Sequence, residues 1–524
     1  MPAPDTAIRH NFAGGFASDY GSMAEIEFEG SAVRIPYLVR CENFFFEANR
    51  SIHKIGGTSK YNATTIESGE EIRGLFEYVR MGTGGSQTIK KVVHAGTKVL
   101  KDDNDGAFTS IITGLVNNAV PNYTVCEDSL IIASDSGVDV PYKWDQTTAA
   151  VLGGSPPTFA FSVVHAGRLF AAGNPALPSR LYYSSLQNFD EWNGTGDSGS
   201  INVDPNDGDR ITGIYPYRGG LVVFKGPNFG SIHFIAGLTP STFSRTQFSR
   251  GVSCAWQNTI FPYANDLGFV AADGTIRSLS ATEKFGDLEE THLSKAISSW
   301  VRDHVNPEQL RKAWAATDHG RGYVLFTLPI DGSSIPNQTL MMDFRFGEPW
   351  FSLWNATPGW SVARISDPNS RGRPILATGG NDGFVRKLQQ IDRTVDTSTA
   401  ISAYAKTPYF HYNTQNRAKT PSHFGLGMQQ HGTSELTFSL INPVATTSFD
   451  VNASTGAMLD SFELDVDVLA GDAYLTFWSD ATGGPGQARE FAYEISNTEL
   501  SQDVEVNAIH IVFESNQNPD YQNY

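Results

Sequence analysis

A chain of 524 residues with a formal charge of −18, from 38 Lys and Arg against 56 Asp and Glu, cannot hold nucleic acid through its net field, because phosphate binding runs on Lys/Arg counterion release. The length exceeds one ordinary core, and 18% charged residues with 50 Gly, 26 Pro and 12% aromatics favour short strands and many turns over helices. Cys41, Cys126 and Cys254 are odd in number and far apart, which points to buried free thiols rather than a disulfide framework or a zinc site.

The opening "MPAPDTAIRHNFAGG" has no apolar h-region and no later run reaches membrane-spanning length, so neither a secretory leader nor a bilayer anchor is expected. From Ala32 to Leu388 the chain repeats one pattern: an apolar strand, a Gly/Asp/Asn turn, and a second strand ending in a basic or aromatic residue. "VVHAGTKVLK" (Val92–Lys101), "VVHAGRLFAAG" (Val163–Gly173), "LGFVAADGTIRSL" (Leu267–Leu279) and "PILATGGNDGFVRKL" (Pro374–Leu388) are examples. The expected turn residues are Gly96, Gly167, Asp273, Gly274, Asp382 and Gly383, where positive φ comes cheaply.

Aligning second strands at Val99, Tyr142, Tyr182, His233, Arg277, Met341 and Arg386 gives steps of 43, 40, 51, 44, 64 and 45 residues. A recurrence of about 40–50 residues is the period of a β-propeller blade. The long step contains one helical pattern, Leu288 to Val305, broken by Asn306-Pro307 and followed by the short turn "PEQLRKAW". The expected architecture is therefore all-β: an arm over residues 1–31, a propeller of six or seven blades over 32–390 with a helical insertion at 286–315, a small antiparallel sandwich or barrel over 391–515, and a loose tail at 516–524. Closure requires an N-terminal strand beside the last blade, and Ala32–Phe46 is the candidate.

The pentapeptide VVHAG occurs twice, placing His94 and His165 alike before a turn. Neither histidine has acidic or His partners at metal spacing nearby, so repetition of one structural unit explains both. A glycosidase reading rests on Asp190 and Glu191 in "NFDEW", a pair more at home in a solvated turn. "SDSGVDVPYKW" (Ser134–Trp144) lacks Asp-box spacing and does not recur. "KDDNDGAF" and "VDPNDGDR" fail as calcium loops, since Lys101, Val203 and Pro205 would fall at ligand positions. There is no P-loop, HExxH or GxSxG, and no enzyme activity, cofactor or metal is expected.

"NFAGGFASDYGS…YLVRCENFFFEANRSIHKIGGTSKY" (Asn11–Tyr61) resembles the start of a family of short-tailed bacteriophage tail proteins, through Gly14-Gly15, Glu42-Asn43 and Gly56-Gly57-Thr58. "AGRLFAAG…SRLYYSSLQNFDEW" (Ala166–Trp192) and "ATGGNDGFVRKL" (Ala377–Leu388) are similar to two of the family's blades, while Ser51–Lys54 replaces a more basic stretch. The resemblance implies a tail nozzle, or hub, subunit in the virion. It would be assembled in the host cytoplasm as a homohexameric ring between a tail adaptor and fibre or tip proteins, conducting double-stranded DNA without reading its sequence. Leu293, Ile297, Trp300 and Val301, with the C-terminal domain, are the candidates for ring contacts or channel gating. The rival readings are a glycan-binding or glycan-cleaving propeller and a generic protein-interaction propeller.

Overall fold

The computed structural model describes residues 6–10, 12, 14–19, 37–285, 292–357, 359–367, 373–390, 393–410, 418–429, 434–453, 474–481 and 484–514. Most of the expected arm, residues 32–36, Leu288, the strand-like Ser461–Val468 and the tail at 516–524 lie outside the described residues. Contacts divide the chain into two units: Ser59–Leu340 with Thr357–Leu388, and Met1–Thr58 with Met341–Ala356 and Gln389–Tyr524. The division differs from the sequence reading, because the C-terminal part takes the whole N-terminal stretch and an excursion near Trp350 with it.

The unit starting at Ser59 is a run of antiparallel meanders of the propeller type. Four-stranded sheets begin at Ile72–Met81, Pro121–Cys126, Phe161–His165 and Arg210–Tyr217, and a three-stranded sheet follows from Ile260–Tyr263. The next two start at Trp314–Asp318 and Ser361–Ser366. First strands lie side by side in chain order, with the turn Gln257–Thr259 making the contact to Arg210–Tyr217 ahead of Ile260–Tyr263, and Ser361–Ser366 packs back on Ile72–Met81. Each sheet is thus covered on both faces, which is why "SLIIAS" and "GLVVFKG" read as continuous apolar runs rather than alternations.

The cores sit between neighbouring sheets. Ile131 and Ala133 pack with Leu169, Ala171 and Trp192, and Val222 and Phe224 with Leu267 and Phe269. Leu75 and Val93 pack with Ile365, Ala377 and Val385, joining the first sheet to the last. Each such side chain, fully buried, contributes about 1.5–3 kcal/mol of transfer free energy. Two-residue turns with positive φ at both positions, Ala166-Gly167 (50° and 69°) and Arg218-Gly219 (45° and 81°), match the right-handed twist of the hairpins they join.

The last sheet is completed by an N-terminal strand, but not by the expected one. Gly57–Lys60 is its partner for Val385–Gln390, and Tyr61 N donates to Val385 O at 2.7 Å. Arg40–Glu42 instead pairs with Ala403–Lys406 and, in parallel, with Leu353, while Phe44–Phe46 pairs with Ile52–Lys54. Alternation alone could not choose among these segments. The choice falls to Asn62, buried beside the strand, whose Oδ1 accepts from Val385 N at 2.8 Å and whose Nδ2 donates to Gly383 O at 3.0 Å.

The expected helix over Leu288–Val305 is broken. The described residues hold an α-helix at Leu279–Phe285, a 3₁₀ turn at Lys295–Ile297, a helix at Ser298–His304 and a 3₁₀ segment at Pro307–Lys312. Asn306 caps that last segment, accepting from Glu308 N at 3.3 Å with Pro307 just inside. Three serines at 294, 298 and 299 account for the break, since short hydroxyls compete for backbone partners: Ser298 Oγ donates to Lys295 O at 3.1 Å.

Most described strands of the second unit fall in two sheets. One orders Phe44–Phe46, Ile52–Lys54, Glu505–Glu514, Thr420–Gln429 and Tyr474–Asp480, with Thr6–His10 also on Glu505–Glu514. The other includes Arg40–Glu42, Ala403–Lys406, Ala492–Asn497, Ser434–Ile441 and Thr446–Ala453. Phe424 stacks on Phe438 at 4.5 Å between them, so the apolar sides of the two sheets meet.

Candidate functional site

The two VVHAG copies are not one position used twice. In the first, Ala95 pairs with Lys98 and the turn is Gly96-Thr97; in the second, His165 pairs with Arg168 and the turn is Ala166-Gly167. The turn has slipped by one residue, and the copies lie on the second strand of one sheet and the first strand of another. His94 is fully buried with neither ring nitrogen bonded, and burial, reinforced by Arg73, lowers it to about 4. His165 is half-buried beside Phe170 and is lowered by burial. Among the described residues neither belongs to a cluster able to hold a metal.

Turn acids have local partners. Asp190 forms an ion pair with Lys143 and accepts from Gly153 N at 2.7 Å. Glu191 lies between it and Trp192, whose Nε1 donates to Phe189 O at 2.7 Å. Asp102 accepts from the N–H groups of Asn104, Asp105 and Gly106, and Asp209 from those of Asn228, Phe229 and Gly230. Asp273-Gly274 and Asp382-Gly383 do repeat as a unit: each Asp bridges to the Arg four residues on, Arg277 at 2.8 Å and Arg386 at 2.7 Å. Both occupy the turn between second and third strands, with Gly274 and Gly383 at φ of 88° and 77°. Gly96 and Gly167 also take positive φ, at 56° and 69°.

Of the expected assembly face, Ile297, Trp300 and Val301 are buried within the chain and Leu293 is half-buried. Val301 and Val305 pack over Gly274, where a Cβ would meet them at 3.2 and 3.0 Å. The three thiols are buried and unpaired, and burial pushes each up to about 12.

Sequence reasoning missed a basic and aromatic cluster at one end of the first strands. Arg311, from the 3₁₀ segment, donates to Asp135 Oδ2 at 2.6 Å across 176 residues of chain. Lys312 donates to Ser334 O at 2.6 Å and lies 5.4 Å from the Trp360 ring, which Arg73 approaches at 5.7 Å. Arg210 stacks over Trp256 at 5.0 Å. These residues come from separate loops with no shared motif, so no spacing could have revealed them. A more open cleft of about 400 Å³ lies nearby, walled by Gly230, Val252, Asp273 and Arg277 and rimmed by Phe229, which is 74% exposed.

The second unit has its own charged network, built from the Ser51–Lys54 stretch. His53 Nε2 meets Asp503 at 2.6 Å and Nδ1 meets Glu47 at 3.1 Å, while Arg393 reaches Asp503 at 3.0 Å. Burial would lower His53, but its bonds to Asp503 and Glu47 outweigh that and raise it. Lys54 donates to Asn497 at 2.6 Å, and burial followed by the Arg393 charge lowers it to about 8. Arginine and histidine here tie strands together, Arg393 also donating to Lys54 O at 2.5 Å.

The chain matches no family model and no curated protein. Among solved structures it is similar to YCF48 bound to D1 peptide, at 8% identity and a TM-score of 0.38, covering 64% of this chain and 97% of that one. The WD40 β-propeller domain of Doa1 is similar at 10% identity and 0.38, again over 64% and 97%. A gluconolactonase of Xanthomonas campestris, XC5397, is similar at 12% identity and 0.31, over 65% and 90%. Likeness this distant assigns neither a ligand nor a reaction. No described helix is long and apolar enough to cross a membrane.

Proposed function

We propose that the Ser59-led unit is a seven-bladed propeller whose fifth blade gives up its fourth strand to the helical insertion, and that the chain is a structural, ring-forming nozzle or hub subunit of a short bacteriophage tail. One observation carries the reading: the residues on which the family resemblance rests act as joints. Asn43, at φ 55°, donates through its backbone to Leu353 O at 2.7 Å and through Nδ2 to Ser402 O at 2.7 Å. Its Oδ1 accepts from Ala356 N at 3.1 Å and its carbonyl from Ile55 N at 3.0 Å, so one residue ties together three other stretches of chain, at Ile55, Leu353–Ala356 and Ser402. Gly15 leaves no room for a Cβ, which would fall 2.7 Å from Trp350 Cβ, and at Gly56 one would fall 2.5 Å from Gln389 Cα.

Asp190, one of the two acids a catalytic reading would need, is engaged by Lys143 and Gly153. A net charge of −18 suits a wall past which DNA slides, because like charge keeps phosphates from adhering. Ring neighbours would be further copies, a tail adaptor, and fibre or tip proteins. Light scattering with negative-stain imaging tests the reading: rings of about six 57.1 kDa subunits around an open centre are expected. A species that keeps one chain's mass at the highest attainable concentration overturns it.

A further inference from the structure

We infer that the small cavity lined by Asp135, Asn174, Arg210, Trp256 and Arg311 binds a single oxyanion, a phosphate-type ion or the carboxylate of a small molecule. The inference is independent of the tail reading. The cavity measures about 70 Å³, about the share of two liquid waters, which admits one such group and no bulky ligand.

Its charges do not balance. Two guanidinium groups face it and Asp135 is the acid in its wall. Both oxygens of Asp135 are engaged, Oδ1 by Val120 N at 2.7 Å and Oδ2 by Arg311 Nη1 at 2.6 Å. Among the described residues no carboxylate lies within ion-pair distance of Arg210, which rests on the Trp256 ring instead. That ring satisfies the face of the guanidinium but none of its five N–H donors.

A neutral donor completes the set. Asn174 is 8% exposed, and its Oδ1 accepts from Ala176 N at 2.9 Å and Leu177 N at 3.3 Å. The amide orientation is thereby set, and Nδ2 has no protein acceptor among the described residues. Arg210, Arg311 and Asn174 thus line, as donors, a space whose one carboxylate is already engaged. An oxyanion supplies the missing acceptors and relieves the repulsion between the two cations, and Arg forks bind phosphate or carboxylate with two bonds at once.

The test is isothermal titration of the full chain with sodium phosphate, sodium sulfate and sodium acetate at constant ionic strength. Wild type, Arg210→Gln and Arg302→Gln are compared, the last removing an exposed cation elsewhere on the chain. Saturable one-site binding is expected, weakened about tenfold or more in Arg210→Gln and unchanged in Arg302→Gln. Arg210 is exposed, so its replacement does not threaten the fold, and circular dichroism verifies that. Phosphate and sulfate binding without acetate assigns a tetrahedral ion, and acetate binding alone assigns a carboxylate. No saturable binding of any of the three, equal binding by Arg210→Gln, or equal loss in both variants overturns the inference.

Discussion

His94 makes stability depend on acid in a way that one substitution removes. An ordinary histidine titrates at 6.5, and His94 does so at about 4, mainly because burial opposes its charge and secondarily because Arg73 repels it, with Asp139 opposing weakly. The folded pKa lies below the unfolded one, so between these values the unfolded chain binds the extra proton. Stability is therefore complete above pH 6.5 and falls as pH drops toward 4. At about 1.4 kcal/mol per unit the full gap corresponds to about 3 kcal/mol, and at pH 4.5 about 2.5 kcal/mol of it has gone. His94→Leu removes the titration, and since neither ring nitrogen has a hydrogen bond no partner is orphaned. Urea unfolding of both proteins at pH 7 and pH 4.5 gives the comparison, with every other histidine and acid common to the two. Wild type should lose about 2.5 kcal/mol more than the variant on acidification. Equal losses would refute the reasoning, because they would mean His94 takes its proton while folded.

The clasp at Asn62 yields a second expectation. Asn62→Ala orphans the Val385 N–H and removes two further bonds, to Gly383 O and Thr64 O. The expected cost is about 3–5 kcal/mol, taking about 1–3 for a buried unpaired donor and about 1 for each of the two lost bonds, measured by urea unfolding. A loss under about 0.5 kcal/mol would show that the last sheet does not depend on it. Two glycines with the same φ of 77° separate strain from crowding. At Gly332 a Cβ meets nothing within 4 Å, whereas at Gly383 it would lie 2.8 Å from both Gly69 Cα and Ile66 O. Gly332→Ala should cost about 1–2 kcal/mol for the left-handed backbone alone, and Gly383→Ala at least about 1 kcal/mol more for the clash; equal melting temperatures would count against both the crowding and the closure it serves.

Local sequence was enough to reveal the repeat. Turn chemistry is local, and a Gly that must take positive φ, as at 274 and 383, is legible without knowing what surrounds it. Apolar runs likewise mark strands covered on both faces. What local pattern cannot carry is partnership between distant segments of equal apolar character. Ala32–Phe46 and Gly57–Lys60 both suit an edge strand, and buried hydrogen bonds from Asn62 settle the matter. Identical letters at VVHAG could not reveal a one-residue slip of the turn, because register depends on the opposing strand. An apolar periodicity across Leu288–Val305 overlooked serines that divide it. The cluster of Asp135, Arg210, Trp256 and Arg311 was invisible for the plainest reason: its members are up to 176 residues apart, and only the return of each sheet's first strand to a common end brings them together.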